Sequence, residues 1–209
     1  MTGDLLGGVV RREPRRWLPV AGAGAVALGL SSLAARHGTV GPAEEAAFDA
    51  VNSLPDALFR PMYVLQLPGV LVVGPLVAVG AVTWGRHRLA AAALAATAGK
   101  LVAERVLKAA VTRERPYTSI GPGVRTRGDV PHHGQSFTSG HAILTTSLAV
   151  VVMPWLPGRW RWVPWALVGG NGVARIYVGA HNPLDVIGGV GIGLMVGAVV
   201  DLALGTPAA

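Results

Sequence analysis

Six long apolar stretches dominate this 209-residue sequence and limit the folds open to it. Each is long enough for a transmembrane helix, which needs roughly 17 to 25 residues. The stretches are Trp17–Ala35, Val64–Thr83, Leu89–Lys108, Ser139–Leu156, Trp162–Val178 and Pro183–Leu204. A mean hydropathy of +0.48 with only 14% charged residues argues against a water-soluble domain. We therefore expect an all-α, polytopic membrane protein with six transmembrane helices, forming one membrane-embedded domain over residues 1–209.

Arginines at the ends of the apolar stretches predict the orientation. Four precede the first stretch, at Arg11, Arg12, Arg15 and Arg16. The others lie between the second and third stretches, at Arg86 and Arg88, and between the fourth and fifth, at Arg159 and Arg161. Because basic residues favour cytoplasmic loops, the N- and C-termini are expected in the cytoplasm and the remaining loops outside. A signal peptide is an alternative for the first stretch, although its apolar run is long for one.

The first outward gap predicts a short helix lying on the membrane surface. Pro42 suits its first position, and Glu44 and Glu45 suit its first turn. Apolar residues follow at helical spacing, at Phe48, Val51 and Leu54. Such a helix serves either as a connector or as a guide for substrate.

The composition excludes several classes of site. The net charge of +7 is not arranged as a basic stripe with interleaved aromatic residues, so nucleic acid is not an expected partner. The absence of cysteine removes disulfides, thiolate metal sites and a cysteine nucleophile. No carboxylate cluster suggests magnesium, and adjacent His132 and His133 without a third ligand indicate a metal only weakly. We expect no metal and no cofactor.

The third stretch carries charges that are costly in hydrocarbon unless they face a polar cavity or one another. Lys100, Glu104 and Lys108 recur every four residues and therefore share one helix face. Arg115 and Pro116 follow just beyond the helix end. Two cations held near one point, Lys108 and Arg115, suit a phosphate.

A second cluster, Ser139-Gly140-His141, stands where the fourth stretch begins. Serine suits a helix start, and the unpaired N–H groups of a first turn bind anions. Gly140 lets an oxygen approach the backbone closely, and His141 can supply a proton near neutral pH. By itself the cluster also fits an ordinary helix cap.

The third cluster runs from the fifth stretch into the sixth. The charge of Arg175 costs free energy inside a membrane unless an anion neutralises it. Asn182 and Pro183 suit the start of a helix, which places His181 just ahead of it and Asp185 one turn in. Asp185 can orient the imidazole and leave its other nitrogen as a nucleophile, or it can simply cap the helix.

Taken in order, the three clusters resemble the signature of the type 2 phosphatidic acid phosphatase superfamily. That signature reads Lys-x6-Arg-Pro, Pro-Ser-Gly-His and Ser-Arg-x5-His-x3-Asp. The resemblance covers roughly residues 60–205, with the signature at about 100–190. Two positions depart from it, since Thr138 replaces the usual proline and Ala174 the usual serine.

The resemblance implies an outward-facing, metal-independent lipid phosphatase. His181 would attack phosphorus to form a phosphohistidine, Asp185 would orient it, and His141 would protonate the leaving oxygen and later activate water. The phosphoryl oxygens would be held by Lys108, Arg115, Ser139, Gly140 and Arg175. The implied substrates are polyprenyl diphosphates, phosphatidic acid and phosphatidylglycerol phosphate.

Other functions stay open at this point. The chain could transfer the phosphoryl group to another lipid, carry an anionic lipid without chemistry, or be a degenerate member kept for protein contacts. A soluble haloperoxidase relative is disfavoured by the apolar stretches. The loop from Tyr117 to Gln135, here called the outward loop after its expected orientation, is expected to influence headgroup choice through Arg125, Arg127, His132 and His133.

Overall fold

The computed structural model describes residues 10–207, and these residues are mostly helical. The α-helices are α1 (Pro14–Ala35), α2 (Pro42–Asn52), α3 (Phe59–Gln66), α4 (Val73–Thr83), α5 (His87–Ala110), α6 (Pro116–Ser119), α7 (Gly140–Val152), α8 (Val163–Tyr177) and α9 (Pro183–Leu204). Short 3-10 segments occupy Asp56–Leu58, Leu67–Gly69, Met153–Trp155 and Gly158–Trp160. Strand β1 (Val10–Arg11) pairs antiparallel with β2 (Thr206–Pro207), which ties the two ends of the described chain together.

A helix lies within each of the six predicted stretches, so the all-α fold is confirmed. Among residues 10–207, α1 and α9 are long and apolar enough to cross a membrane, and the bent pair formed by residues 56–69 and α4 adds a third candidate. Charges interrupt α5, and α7 and α8 are shorter. The chain is a membrane protein, and the count of six spans remains a prediction.

The second stretch was predicted as one helix, and this prediction was wrong. The 3-10 segment Leu67–Gly69 separates α3 from α4, and the two parts are bent by 67°. Pro68 has no N–H to continue the α-helical hydrogen bonds of the preceding turn, which explains a break at this point. Gly69 is buried at the break and packs against His141 of α7.

Helix α9 lies at the centre of the bundle, against α1, α5 and α7. Glycines along it let neighbouring helices come close: a Cβ at Gly191 would lie 2.6 Å from the carbonyl oxygen of Gly24 in α1. On the α7 side, a Cβ at Gly193 would lie 2.7 Å from the carbonyl oxygen of Ile143. Small residues at such contacts are typical of helix packing in membranes, where close van der Waals contact replaces the hydrophobic drive.

The predicted short helix is present as α2 and begins at Pro42 as expected. Its Phe48 is fully buried, and the Asn52 side chain donates to the carbonyls of Arg125 (2.9 Å) and Tyr177 (3.0 Å). The Asn52 Oδ1 also accepts from the Arg125 backbone N–H at 2.9 Å. These bonds fix the outward loop onto α2 and the end of α8. The position of α2 at a membrane surface remains a prediction.

Candidate active site

The predicted nucleophile, His181, is buried in the short connection between α8 and α9. His181 is 4% exposed, and its Nδ1 lies 3.0 Å from the carbonyl oxygen of Ser136. Because a carbonyl oxygen only accepts, this contact requires Nδ1 to carry the proton. The Nε2 atom is then left with its lone pair, which is the state a nucleophilic imidazole needs.

Asp185 lies close to this histidine and is held by several donors. Its Oδ2 accepts from the Asn182 backbone N–H at 2.8 Å and from the Ser136 hydroxyl, and lies 3.8 Å from His181 Nδ1. Its Oδ1 accepts from Arg113 Nη1 at 3.0 Å. The carboxylate therefore acts on the imidazole partly through Ser136, which contacts both groups. Helix α9 begins at Pro183 with Asn182 as its N-cap, as the sequence predicted.

Arg113, Glu44 and Ser136 were not among the predicted site residues. Arg113 has a fully buried side chain that donates to Glu44 from Nη1 and Nη2 and to Asp185 from Nη1. Burial opposes its charge, but hydrogen bonds to Glu44 and the charge of Asp185 raise the pKa of Arg113 above its usual value. Glu44 also accepts from the Leu184 N–H in the first turn of α9, at 2.9 Å. Helix α2 is thereby connected to the candidate site.

Burial dominates the protonation of the histidine. It lowers the pKa of His181 to about 4, with the charge of Arg175 acting in the same direction and the Asp185 carboxylate acting against it. The imidazole is therefore neutral at physiological pH, as a lone-pair nucleophile must be.

The second cluster begins α7 as predicted. Ser139 is the N-cap, and its side chain accepts from the Ala142 N–H at 3.4 Å. The Ser139 N–H donates to the Asp185 carbonyl at 3.0 Å, which joins the starts of α7 and α9. His141, in the first turn of the helix, lines a cavity of about 190 Å³ together with Arg175.

The two predicted arginines lie near the histidines. Arg115 donates from Nη1 to the carbonyl of Ala180 at 3.0 Å, next to His181, and Arg175 donates to Gln66 Oε1 at 2.5 Å. Burial lowers the pKa of the Arg115 guanidinium. Within residues 10–207 the Nε atoms of both arginines are buried without a hydrogen-bond partner. An anion bound between them would satisfy such donors.

Lys108 reaches this region through Glu104. The Glu104 carboxylate binds Lys108 at 2.7 Å and Lys100 at 2.5 Å, as the four-residue spacing predicted. The same carboxylate lies against Gly140, where a Cβ would meet it at 2.7 Å. An anionic group of the protein thus occupies the start of α7 beside Lys108, at the place where the sequence predicts a phosphate.

The loop that is predicted to face outward is held in place by Arg127. Arg127 is 9% exposed, donates to Asp56 at 2.8 Å and to the Tyr177 carbonyl, and stacks over the Tyr177 ring at 4.1 Å. Its guanidinium therefore secures the loop, so the expected influence on headgroup choice would act through loop shape. Residues 10–207 contain no group of three or more His, Cys, Asp or Glu side chains positioned for a metal.

A helical membrane protein with a buried histidine–aspartate pair, a second histidine and several buried arginines at one set of helix ends forms a well-defined class. The sequence matches the PAP2 superfamily over residues 88–205. Since this match covers more than half of the chain, the protein belongs to the PAP2 superfamily, which confirms the resemblance found in the sequence.

Similar proteins agree with this assignment. The chain is 37% identical over 113 residues to decaprenylphosphoryl-5-phosphoribose phosphatase of Mycobacterium tuberculosis, a match that covers 52% of this chain and 59% of the relative. The chain thus matches about three fifths of that relative's length.

Two crystal structures share the fold. LpxE of Aquifex aeolicus has a TM-score of 0.66 at 23% identity, covering 74% of this chain and 92% of that one. The transmembrane PAP2-type phosphatidylglycerolphosphate phosphatase of Bacillus subtilis also has a TM-score of 0.66, at 19% identity, covering 87% and 94%.

Proposed function

We propose that this protein is an integral membrane phosphatase that hydrolyses a lipid phosphate or diphosphate through a phosphohistidine on His181. One observation carries the proposal. The Nδ1 of His181 lies against a backbone carbonyl, which directs the lone pair to Nε2, and the half-buried Arg115 and Arg175 nearby each have a buried Nε atom without a hydrogen-bond partner among the described residues. A lipid carrier would need the arginines, but it has no use for an oriented imidazole.

The reaction proceeds in two steps. The lone pair of His181 Nε2 attacks phosphorus while the bond to the lipid oxygen breaks, and His141 gives that oxygen a proton. Water then attacks the phosphohistidine, His141 takes a proton from the water, and inorganic phosphate leaves with His181 restored. Asp185 stabilises the positive charge that the imidazole gains in the first step.

Fixed positive charges replace a metal ion in this scheme. Arg115 and Arg175 bind the phosphoryl oxygens through guanidinium donors, and the N–H groups of the first turn of α7, from Gly140 onward, bind another. Lys108 joins them when the incoming phosphate displaces Glu104. Preorganised donors of this kind stabilise the charge that spreads over the phosphoryl oxygens in the transition state.

The substrate candidates are polyprenyl diphosphate, phosphatidic acid and phosphatidylglycerol phosphate, to which the mycobacterial relative adds a polyprenyl-phosphoryl sugar phosphate. A specific observation favours the sugar. The cavity beside His141 and Arg175 is also lined by Phe59, Tyr63 and Asp129, and aromatic faces with a carboxylate suit a hydroxylated headgroup. Comparing the four substrates at equal surface concentration ranks them; a preference for phosphatidic acid, which has no headgroup beyond phosphate, would contradict the sugar assignment.

The site is proposed to face outward, with both termini in the cytoplasm. The natural chain has no cysteine, so single cysteines can report accessibility without a background. A cysteine at Gly128 in the outward loop should react with an impermeant maleimide on intact cells, and one at Arg86 should react only after lysis. The reverse pattern would invert the topology.

The decisive measurement is phosphate release by purified protein in detergent, with EDTA present, from the same panel of lipids. Wild type is expected to release phosphate, and His181→Ala is expected to lose release. His133→Ala, in the outward loop, is the matched control and should retain it. Acid-labile, alkali-stable label on the protein from a 32P-labelled substrate would identify the phosphohistidine.

Two outcomes would change the proposal. Phosphate release that survives His181→Ala would refute the nucleophile. Loss of substrate without free phosphate, with label appearing in an added lipid acceptor, would instead establish a phosphotransferase.

A further inference from the structure

A buried chain of charges connects helix α2 to the candidate nucleophile. Glu44 of α2 binds Arg113 through both carboxylate oxygens, and Arg113 binds Asp185 at 3.0 Å. The Arg113 side chain is fully buried, the Asp185 side chain is fully buried, and that of Glu44 is 8% exposed. None of the three is therefore screened by water as a surface pair is.

The charges in this chain decide how much negative potential reaches His181. Asp185 alone would favour the positive charge that the imidazole acquires when it attacks. Arg113, in contact with the same carboxylate, opposes that effect. Glu44 in turn neutralises Arg113, so the three side chains together carry one net negative charge.

We propose that Glu44 and Arg113 are positioning residues for the phosphatase reaction: Arg113 locks Asp185, and Glu44 preserves the negative charge that Asp185 presents to His181. The locking has a second component, because Glu44 also accepts from the Leu184 N–H in the first turn of α9. Arg113 further donates to the Thr39 carbonyl at 3.3 Å, which anchors the guanidinium from the α1–α2 connection. The inference rests on the proposed function and adds two residues that the three signature motifs do not include.

If the role of these residues depends on charge, the second substitution should restore part of the kcat lost in Glu44→Gln. A purely structural role predicts no such recovery. Glu44→Gln leaves Arg113 uncompensated and should lower kcat about tenfold or more, with little change in KM. Arg113→Gln removes the lock and leaves two carboxylates close together, and it should lower kcat similarly. The double variant restores one net negative charge and should be more active than Glu44→Gln alone.

The matched control is Glu45→Gln, which removes the neighbouring and exposed carboxylate of the same helical turn. It should leave kcat unchanged. Arg113→Lys retains the charge and one contact, so it should keep more activity than Arg113→Gln. Losses that simply multiply in the double variant, or equal losses for Arg113→Lys and Arg113→Gln, would overturn the proposal.

A second readout does not depend on turnover. In protein labelled with 15N-histidine, the His181 resonances, assigned by comparison with His181→Asn, report its tautomer and its pKa. The charged or titratable groups that face His181 are Asp185, Arg115, Arg175 and His141.

The expected shifts have opposite signs. Removing the negative charge of Glu44 should lower the pKa of His181, Arg113→Gln should raise it, and the double variant should return it toward wild type. Unchanged His181 titration in folded Glu44→Gln would overturn the inference, even if the wild-type protein is active. Shifts of the expected sign in a protein that releases no phosphate would support the charge chain and refute the proposed function instead.

Discussion

Replacing Gly69 by alanine tests whether the break in the second apolar stretch positions His141. A Cβ at Gly69 would lie 2.6 Å from the Cβ of His141, 2.7 Å from its Cδ2 and 2.9 Å from its Cα. Ordinary contacts begin at 3.4 Å, so the break and the start of α7 must separate by about 0.8 Å. The Cβ and Cα atoms belong to the rigid part of the residue, so a side-chain rotation cannot relieve the contact.

Misplacement of a catalytic group by about 1 Å costs on the order of 100-fold in rate. We therefore expect Gly69→Ala to lower kcat for lipid phosphate about 10- to 100-fold, with an overpacking cost of about 1–3 kcal/mol in stability. Gly80→Ala in α4 is the matched control, because a Cβ there has open space around it.

The choice of substrate separates displacement of His141 from general damage. A lipid alkoxide needs a proton to leave, whereas p-nitrophenolate leaves without one, so the first step, which forms the phosphohistidine, should be slowed much less with p-nitrophenyl phosphate in Gly69→Ala. The later attack of water uses His141 with either substrate. The assay is the rate of the first step, read as the pre-steady-state release of the lipid alcohol or of p-nitrophenolate, with protein that elutes as a single species. Equal kcat for Gly69→Ala and Gly80→Ala on the lipid, or equal losses on both substrates, would refute the reasoning.

Three further outcomes follow from the packing and the charges. Asn52→Ala removes an amide that binds the carbonyls of Arg125 and Tyr177 and should lower the free energy of unfolding by about 1–3 kcal/mol in a detergent melt; an unchanged melt would count against this anchor. Because the native pKa of His181 is about 4 and the unfolded value about 6.5, the unfolded state binds the proton first, so stability should fall by up to about 3 kcal/mol as the pH drops from 6.5 to 4. The same slope in His181→Asn would exclude this cause. Gly193→Ala brings a Cβ within 2.7 Å of the α7 backbone and should cost about 1–3 kcal/mol, and normal stability would show that α7 and α9 can move apart freely.

The sequence located the helices and their starts well, because these depend on neighbouring residues. Apolar runs marked each helical stretch, and the caps at Ser139 and Asn182 were read from residue types that favour helix starts. The pairing of Glu104 with Lys100 and Lys108 followed from four-residue spacing alone.

The break in the second stretch was missed although Pro68 and Gly69 stand within it. Hydropathy over Val64–Thr83 averages across the interruption, and a proline is tolerated in many membrane helices. A tertiary contact also favours the break, because Gly69 packs against His141, which is far away in the sequence.

The contacts of Arg113 could not be predicted from the sequence because they too depend on the tertiary fold. Arg113 stands between Lys108 and Arg115 and has no local feature that separates it from a surface arginine. Its partners are 69 and 72 residues away, at Glu44 and Asp185. Glu44 does lie in the first turn of α2, as predicted. Its contacts with Arg113 and Leu184 depend on where α2 lies in the fold.

The glycines of α9 also limit which parts of this protein can change when its substrate preference changes. At Gly189, Gly191 and Gly193 the backbone of this helix lies close to the backbone of α1 or α7, so main-chain contact helps to set the spacing between the three helices. The helix that carries Asp185 can neither rotate nor slide to suit a new substrate without losing that contact. Variation in the proposed headgroup preference is therefore expected in α3 and in the loop around Arg125 to Val130, while the proposed reacting groups keep their places.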